Sequence, residues 1–258
     1  MSFGVIYNVW DGCELLEPSI RSIRNAVDEV VVVYQEKSYY GNYIKEYDIN
    51  LVLSDLKHEH LIDDKILVNF DNDCKNSHEA KQMEKLKYQI GLDYLEKKHI
   101  DYFMMRAVDE FFIEDELRRS LGQVQAKDYH RTFCEISTYS SPTLKDVENT
   151  DHVNGSFIYK MIEGKKIGQG MQPPLYIDAV ANYGNNTSDY IFPNEEVVMH
   201  HYRLSRLDLK RKALNSSISN KRFLLDQAKN ISNFMDKAET VKNLFNIDLD
   251  KFVERYCE

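Results

Sequence analysis

The stretch RAVDEFF, residues 106–112, sets two adjacent acids, Asp109 and Glu110, between the apolar pairs Met104-Met105 and Phe111-Phe112. Carboxylates left unpaired in a core cost several kcal/mol each, so these two are solvated, paired or holding a cation. Arg106 offers one partner just upstream, with Asp109 capping the helix that follows. A divalent ion offers another, because Mg2+ and Mn2+ take one or two carboxylates and fill the remaining positions with phosphate oxygens and water. Such a site needs a further ligand, and His200 or His201 in VVMHHYRL can supply it. Neighbours on a strand point to opposite sides, so only one of the two reaches a cleft, and spacing does not choose between them. The same pair reads equally as one core imidazole and one solvated one. Behind it run Arg203, Arg206, Lys210, Arg211 and Lys212, either a solvated helix face or the cationic side of a diphosphate site.

Further groups stand at other element ends. In VIYNVWDG, main-chain groups around Asn8 can face a planar base, and Tyr7 or Trp10 can stack on it; Trp10 reads equally as a core ring. Asp178 in PPLYIDAV and Asp151 in NTDHVNGS are loop-end acids that could meet an acceptor hydroxyl or simply cap turns. Neither GxGxxG nor GxxxxGK occurs, which disfavours dinucleotide and P-loop chemistry. The four cysteines, at 13, 74, 134 and 257, have no metal-ligand spacing and no evident catalytic partner, which predicts reduced thiols and an intracellular protein.

The elements that must position these groups follow an alternating pattern. FGVIYNV is a first strand, CELLEPSIRSIRNAV a helix, and DEVVVVYQ a strand apolar enough to be covered by helices on both faces. GNYIKEYDI reads as a short helix and NLVLSDL as an edge or parallel strand. Residues 76–99 form a long amphipathic helix with Met83, Leu86, Ile90 and Leu95 on its apolar side and lysines on its outer face. IDYFMM is a buried strand that delivers Asp109 and Glu110 to its carboxyl end, where open α/β sheets collect their ligand groups. A short helix follows in FFIEDELRRSLG, then accessory strands and loops to residue 191, the histidine strand, the basic segment and a mostly helical tail. The expected fold is α/β: a Rossmann-like, mostly parallel central sheet flanked by helices, with a small accessory sheet and a helical C-terminal tail. Residues 1–218 are read as one domain and 219–258 as a helical extension packed on it or joining two copies as a homodimer.

Bulk properties bound the partners. The 258 residues are 43% hydrophobic and 29% charged, ordinary globular material. A formal charge of −9, from 42 acids and 33 bases, argues against a broad nucleic-acid surface but leaves a local basic patch. No apolar window is long enough to span a bilayer, and the start, MSFGVIYNVWDG, lacks the pattern of a secretion signal.

These segments resemble the nucleotide-sugar-dependent glycosyltransferases of the broad family-two type, which have a single-domain Rossmann-like fold. VIYNVWDGCELLEPSIRSI resembles that family's first strand, asparagine-containing turn and helix; DEVVVVYQ resembles its second strand. NSHEAKQMEKLKYQIGLDYLEKKHIDYFMMRAVDEFF resembles the helix and strand leading to its metal motif, and VVMHHYRLSR its late histidine and basic segment. Aligning DEF on residues 109–111 puts Ala107 where the motif's first aspartate stands, and the second strand ends in Tyr34-Gln35 where the family has an acid. The resemblance implies transfer of a sugar from a nucleoside diphosphate sugar to a hydroxyl of a glycan, a lipid-linked or another acceptor. It implies Mn2+ or Mg2+ on Asp109, Glu110 and His200 or His201, or else neutralisation of the diphosphate by basic side chains. Donor contacts would come from Tyr7, Asn8, Trp10, Tyr34, Arg106, Arg203, Arg206 and Lys210, and an inverting enzyme would use Asp178 or Asp151 as base. The expected location is the cytoplasm, or the membrane periphery for a lipid-linked acceptor. Two other readings share these features: a non-catalytic nucleotide- or glycan-binding module of the same fold, and transfer of a sugar to a nucleic-acid base.

Overall fold

Val30, Val31, Val32 and Val33 have no exposed surface on either side of their strand, as a central position in a covered sheet requires. Their burial contributes on the order of 2 kcal/mol per side chain. This computed structural model describes residues 1–71, 73–146, 154–164, 166–167, 189–215, 225–226, 229, 236 and 238–257. The strands β1 (Phe3–Val9), β2 (Glu29–Tyr34), β3 (Asp64–Leu67) and β4 (Tyr102–Arg106) are parallel and lie in the order β3-β2-β1-β4.

Helices cover both faces. On one, α1 (Cys13–Arg21), α2 (Ile49–His58) and α4 (Glu114–Lys127) pack through Leu16, Ile20, Leu53, Leu56, Leu117 and Leu121 onto Val5, Val30 and Val32. On the other, α3 (Ser77–Lys97) packs Tyr88, Leu92 and Leu95 onto Ile6, Val31 and Val33. A capping box starts α3: the Asn76 side chain accepts from the Glu79 amide, while the Glu79 carboxylate accepts from the Lys75 amide and the Asn76 side-chain amide.

Three expectations are corrected here. GNYIKEYDI is not a helix: residues 41–48 are irregular, with Tyr43 bridging back to Lys37, and helix starts only at Ile49. NLVLSDL is helix α2 rather than a strand: Ile49, Val52, Leu53 and Leu56 are buried at helical spacing, and the Asp48 side chain accepts from the Asn50 amide to start the turn. The buried stripe of α3 is rotated from the one expected. It runs through Ala80, Lys87, Tyr88, Gly91, Leu92 and Leu95, whereas Leu86 is exposed.

The accessory strands extend the sheet past β4. Here β8 (Asn154–Lys160) runs antiparallel to β4, and β6 (Arg131–Ser141) antiparallel to β8. β7 (Leu144–Asp146) then pairs with β6 and with β11 (Ala238–Thr240). Two short strands run parallel to β6, β9 (Asp189–Ile191) and β10 (Val198–His201), and the end of β10 pairs with β5 (Glu110–Phe111). The basic segment continues into α5 (Leu209–Asn215). The described part of the tail is therefore a strand as well as a helix, α6 (Leu249–Tyr256), which packs Phe252 against Tyr47. Among the described residues no helix is long and apolar enough to cross a membrane.

Candidate functional site

From β1 the chain crosses to β2 and then β3 on one side, while β4 lies on the other, so the strand order reverses between β1 and β4. Open α/β sheets place ligands at that reversal, outside the carboxyl ends of the strands. Asp11 and Asp109 stand at the two ends concerned. Gly12, with φ +86, turns the chain from β1 into α1 in a conformation that only glycine adopts freely, and its amide donates to Asp11 Oδ1 at 2.8 Å. A Cβ there would fall 1.2 Å from Nη1 of Arg206, so the missing side chain is what lets Arg206 lie across the turn.

Arg206 joins the two strand ends. Its Nη1 donates to the Asp11 carbonyl at 3.3 Å and its Nη2 to Asp109 Oδ2 at 2.8 Å. Lys212 Nζ donates to the same oxygen at 2.7 Å and to the Arg203 carbonyl at 3.1 Å. His201 Nε2 lies 3.7 Å from it, and the amide of Tyr202 donates to the Asp109 carbonyl at 2.8 Å. Burial alone would push the Asp109 carboxyl up; Arg206, Lys212 and His201 overcome that and hold it well below the usual carboxylate range. Burial lowers Lys212, with Asp109 opposing the shift. Asp109 is thus a buried, ionised hub for two cations and one imidazole.

Asp11 organises the second half of the cluster. Its Oδ1 accepts from Arg211 Nε and Nη2 at 3.2 and 2.8 Å and from the Tyr47 hydroxyl at 3.2 Å. The Asn215 side-chain oxygen at the end of α5 accepts from Ser38 and from Asn42, tying the basic helix to the segment after β2. Between these segments lies a cavity of about 150 Å³ whose walls include Asn8, Trp10, Asp11, Arg206, Lys212 and Asn215. A second cavity, of about 260 Å³, opens at the ends of β2 and β3 beside Gln35, Ser38, Tyr43, Asn69 and Phe70. Gln35 is buried, and neither atom of its carboxamide has a hydrogen-bond partner. A further cavity, about 360 Å³ between α1 and α6, lies away from this cluster, and its Arg21 and Arg255 are already paired with Glu17, Glu59 and Asp55.

Of the expected site residues, Asn8, Trp10, Asp109, His201 and Arg206 come together here. Others are placed elsewhere. Tyr7 is wholly buried with its hydroxyl 2.9 Å from Ser19 Oγ, and Tyr34 donates to Asn50 Oδ1 from the same face of the sheet. Arg106 is buried on that face too, its guanidinium 4.5 Å from the Phe112 ring centroid. Glu110 turns back to accept from the Ala107 amide at 2.9 Å and pairs with Arg106 at 3.3 Å. His200 points into the aromatic cluster of Tyr139, Tyr202 and Phe245, with Nδ1 2.7 Å from the Tyr139 hydroxyl; burial, with Lys145, lowers its pKa to about 4. Lys210 is exposed on the other face of α5, and Arg203 pairs with Asp146 at 3.4 Å. Asp151 and Asp178 lie outside the described residues.

The expected ligand set for Mn2+ or Mg2+ is therefore not assembled. Asp109 Oδ2 is occupied by two cations, Glu110 and His200 face away, and position 107 has no carboxylate. Among the described residues no three His, Cys, Asp or Glu side chains converge where a metal ion would sit.

Sequence reasoning did not single out Asp11 or Lys87, and met Gln35 only at the strand end where the resembling family has an acid. Asp11 sat in what read as a plain turn, and Lys87 among lysines assigned to solvent. The usable signal for Lys87 was the line of small residues, Ala80 and Gly91, on its own helix face. A Cβ at Gly91 would fall 2.3 Å from Ile6, so that face is pressed against β1.

No protein-family model matches the chain, and no curated protein matches it. Solved structures resemble it. A crystal structure of S. aureus TarS covers 90% of this chain at 12% identity with a TM-score of 0.43, and the chain spans only 43% of that one's length. TarS 1–349 gives the same coverage of this chain, identity and TM-score over 74% of its own length, and has also been solved with UDP-GlcNAc and with UDP. CMP:2-keto-3-deoxy-manno-octonic acid synthetase, complexed with CTP, covers 62% of this chain and 74% of its own at 11% identity and a TM-score of 0.33. The parallel order β3-β2-β1-β4 with helices on both faces is, by its own topology, the Rossmann-like fold that the resemblance implied. What the site does is read from this chain's own side chains.

Proposed function

We propose that this chain transfers a sugar from a nucleoside diphosphate sugar to an acceptor hydroxyl, with Arg206 and Lys212 rather than a divalent ion meeting the diphosphate. The observation that carries the reading is the convergence of these two cations on Asp109 at the reversal between β1 and β4, on the wall of a cavity. In the transfer the acceptor oxygen bonds to the anomeric carbon, the carbon–oxygen bond to the diphosphate breaks, and negative charge accumulates on the leaving phosphate. Fixed cations aimed at that charge lower the barrier without reorganising. Asp109 sets their direction, and Gly12 leaves the room that Arg206 needs.

The cavity beside Gln35 suits a planar base. Tyr43 and Phe70 offer apolar and stacking surface, and the unpaired carboxamide of Gln35 can both donate to and accept from a base edge. His201, partly exposed beside Asp109, stands on the β10 side, toward which the sugar would project. For an inverting reaction the base that receives the acceptor proton is Asp178 or Asp151, as read from sequence.

The test is a melting and binding panel of UDP, GDP, CDP and ADP and their sugars, run with chelator and with Mn2+. A ligand at about 100 times its Kd stabilises by about 2.7 kcal/mol. We expect at least one nucleoside diphosphate to bind with or without Mn2+, and Arg206→Ala and Lys212→Met each to weaken it roughly 10- to 100-fold, the loss of a charge-assisted contact worth about 1.5–3 kcal/mol. Absence of any shift across the panel overturns the proposal. Binding that survives with no diphosphate released from any sugar donor and acceptor mixture would support the non-catalytic module instead.

A further inference from the structure

Lys87 has no exposed surface. It projects from the middle of α3 to the end of β1, where its Nζ donates to the Val9 carbonyl at 2.8 Å. The same oxygen accepts from the Gln35 amide at 3.2 Å. Lys87 therefore lies behind the walls of two cavities: Val9 leads into Trp10 and Asp11, which line the first, and its partner Gln35 lines the second. Glu84, one helical turn before it, and Tyr39, whose ring centroid lies 5.8 Å from Nζ, both line the first cavity.

An ammonium group has three donors, and among the described residues it makes one hydrogen bond. A charge so placed is poorly compensated. We propose that Lys87 is a positioning residue that takes up a proton from solvent when a nucleoside diphosphate enters the cavity, drawing the β1 and β2 ends into their binding geometry. This rests on the nucleotide reading above. The charged and titratable groups around it leave room for that role. On its own helix Glu84 favours the charged form; from the segment after β2 comes the Tyr39 ring. Asp11, at the β1 end, is engaged by Arg211, and Arg206 and Lys212, across the cavity, are engaged by Asp109. Burial brings the Lys87 ammonium down to about 7, with Glu84 opposing, so in the free protein the charged form is disfavoured relative to an exposed lysine. Two phosphates entering the first cavity, across the wall that Glu84 and Tyr39 form, add negative charge near it and favour the ammonium. Proton uptake of this kind weakens binding as pH rises, by up to about tenfold per pH unit for one proton.

The test is titration calorimetry of the wild type and Lys87→Met with UDP, GDP, CDP and ADP at pH 8, in buffers of different ionisation enthalpy. Val9 keeps its Gln35 partner in that variant, so the carbonyl stays satisfied. We expect the wild type to take up most of one proton more than the variant, and its Kd to weaken more steeply above neutral pH; comparing the two cancels the nucleotide's own titration. In the wild type alone, the Lys87 Cε resonance should titrate near neutral pH in the free protein and stay in its charged form to higher pH in the complex. Binding with equal proton counts, or a resonance that titrates identically with and without nucleotide, overturns the role of Lys87 and leaves the site. Failure of all four nucleotides to bind removes the nucleotide reading, and this inference with it.

Discussion

Asp109→Asn isolates the contribution of the central ion cluster. The change keeps shape and one acceptor oxygen but removes the charge that Arg206 and Lys212 face at 2.8 and 2.7 Å. The Arg206 side chain is 6% exposed and cannot hydrate itself in compensation. Breaking a buried pair by removing one partner costs about 3–5 kcal/mol, because the remaining charge stays buried. Two considerations place the outcome near the lower bound. The amide oxygen still accepts a neutral hydrogen bond, and Lys212, already lowered by burial, can shed its proton where arginine cannot. The expectation is therefore about 3 kcal/mol in guanidinium unfolding at pH 7, with m unchanged. Lys212→Met combined with Asp109→Asn should cost less than the sum of the two, since both remove the same interaction.

The acid limb gives an independent check. The Asp109 carboxyl is depressed from its ordinary 3.8, so its charge-dependent stabilisation is fully present above 3.8 and is lost as pH falls through the folded value. The gap between wild type and Asp109→Asn should close only in that range. A loss below about 1 kcal/mol at pH 7, the scale of an exposed pair, would refute the argument that these charges form a desolvated unit.

Two further outcomes follow from the same geometry. Gly12→Ala puts a Cβ on a residue with φ +86 and against Arg206, so we expect a loss of about 1–2 kcal/mol from the backbone alone, together with weaker nucleoside diphosphate binding; tight binding retained in the variant would detach Arg206 from the site. His200 has its folded value lowered from 6.5 to about 4, so the unfolded chain binds the extra proton and stability falls as pH drops between those values, by up to about 3 kcal/mol. His200→Phe should abolish that part of the acid sensitivity in pH-dependent melting while losing only the Tyr139 contact at pH 7, and an unchanged pH profile would show the ring to be solvated.

Three of the four parallel strands, β1, β2 and β4, were legible because their signals are local. A run of four valines, a first strand closed by a turn and a long capped helix each state their own structure. The segment 49–58 was misread because Leu51, Val52 and Leu53 form a short continuous apolar run, which suits a buried strand and also fits a helical stripe; the Asp48 cap settles which period holds. Asp109 could be found as an acid at a strand end, but its partners could not. They come from a segment about a hundred residues later. Which of His200 and His201 faces it depends on the register of β10 against β5, where His201 lies opposite Glu110 and His200 opposite Phe111. That Lys212 rather than Lys210 meets Asp109 is likewise not written in the local sequence. The face of α5 turned inward is set by docking, here by Asn215 meeting Ser38 and Asn42, and not by charge density along the chain. Gln35 and Lys87 are polar residues in positions that periodicity assigns to burial or to solvent by type, and only packing identifies them as exceptions.

The charge balance of the site bears on what it would select. Asp11, Glu14 and Asp109 face Arg206, Arg211 and Lys212, so the cluster is close to neutral before any ligand arrives. With a formal charge of −9 the chain as a whole offers anions no long-range attraction. A singly charged ligand would gain little, since it must draw Arg206 and Lys212 away from a carboxylate already held at optimal distance. A diphosphate presents several oxygens and more than one charge, and can engage both cations while Asp109 keeps its grip from the other side. Glu14 makes the same point from beneath: burial raises its carboxyl while Arg206 opposes the rise, and one oxygen accepts from the Leu207 amide, so it braces the basic segment. On the proposed reading, the carboxylates fix the direction of the positive charge before a diphosphate binds, and they set a threshold of ligand charge below which the exchange is unfavourable.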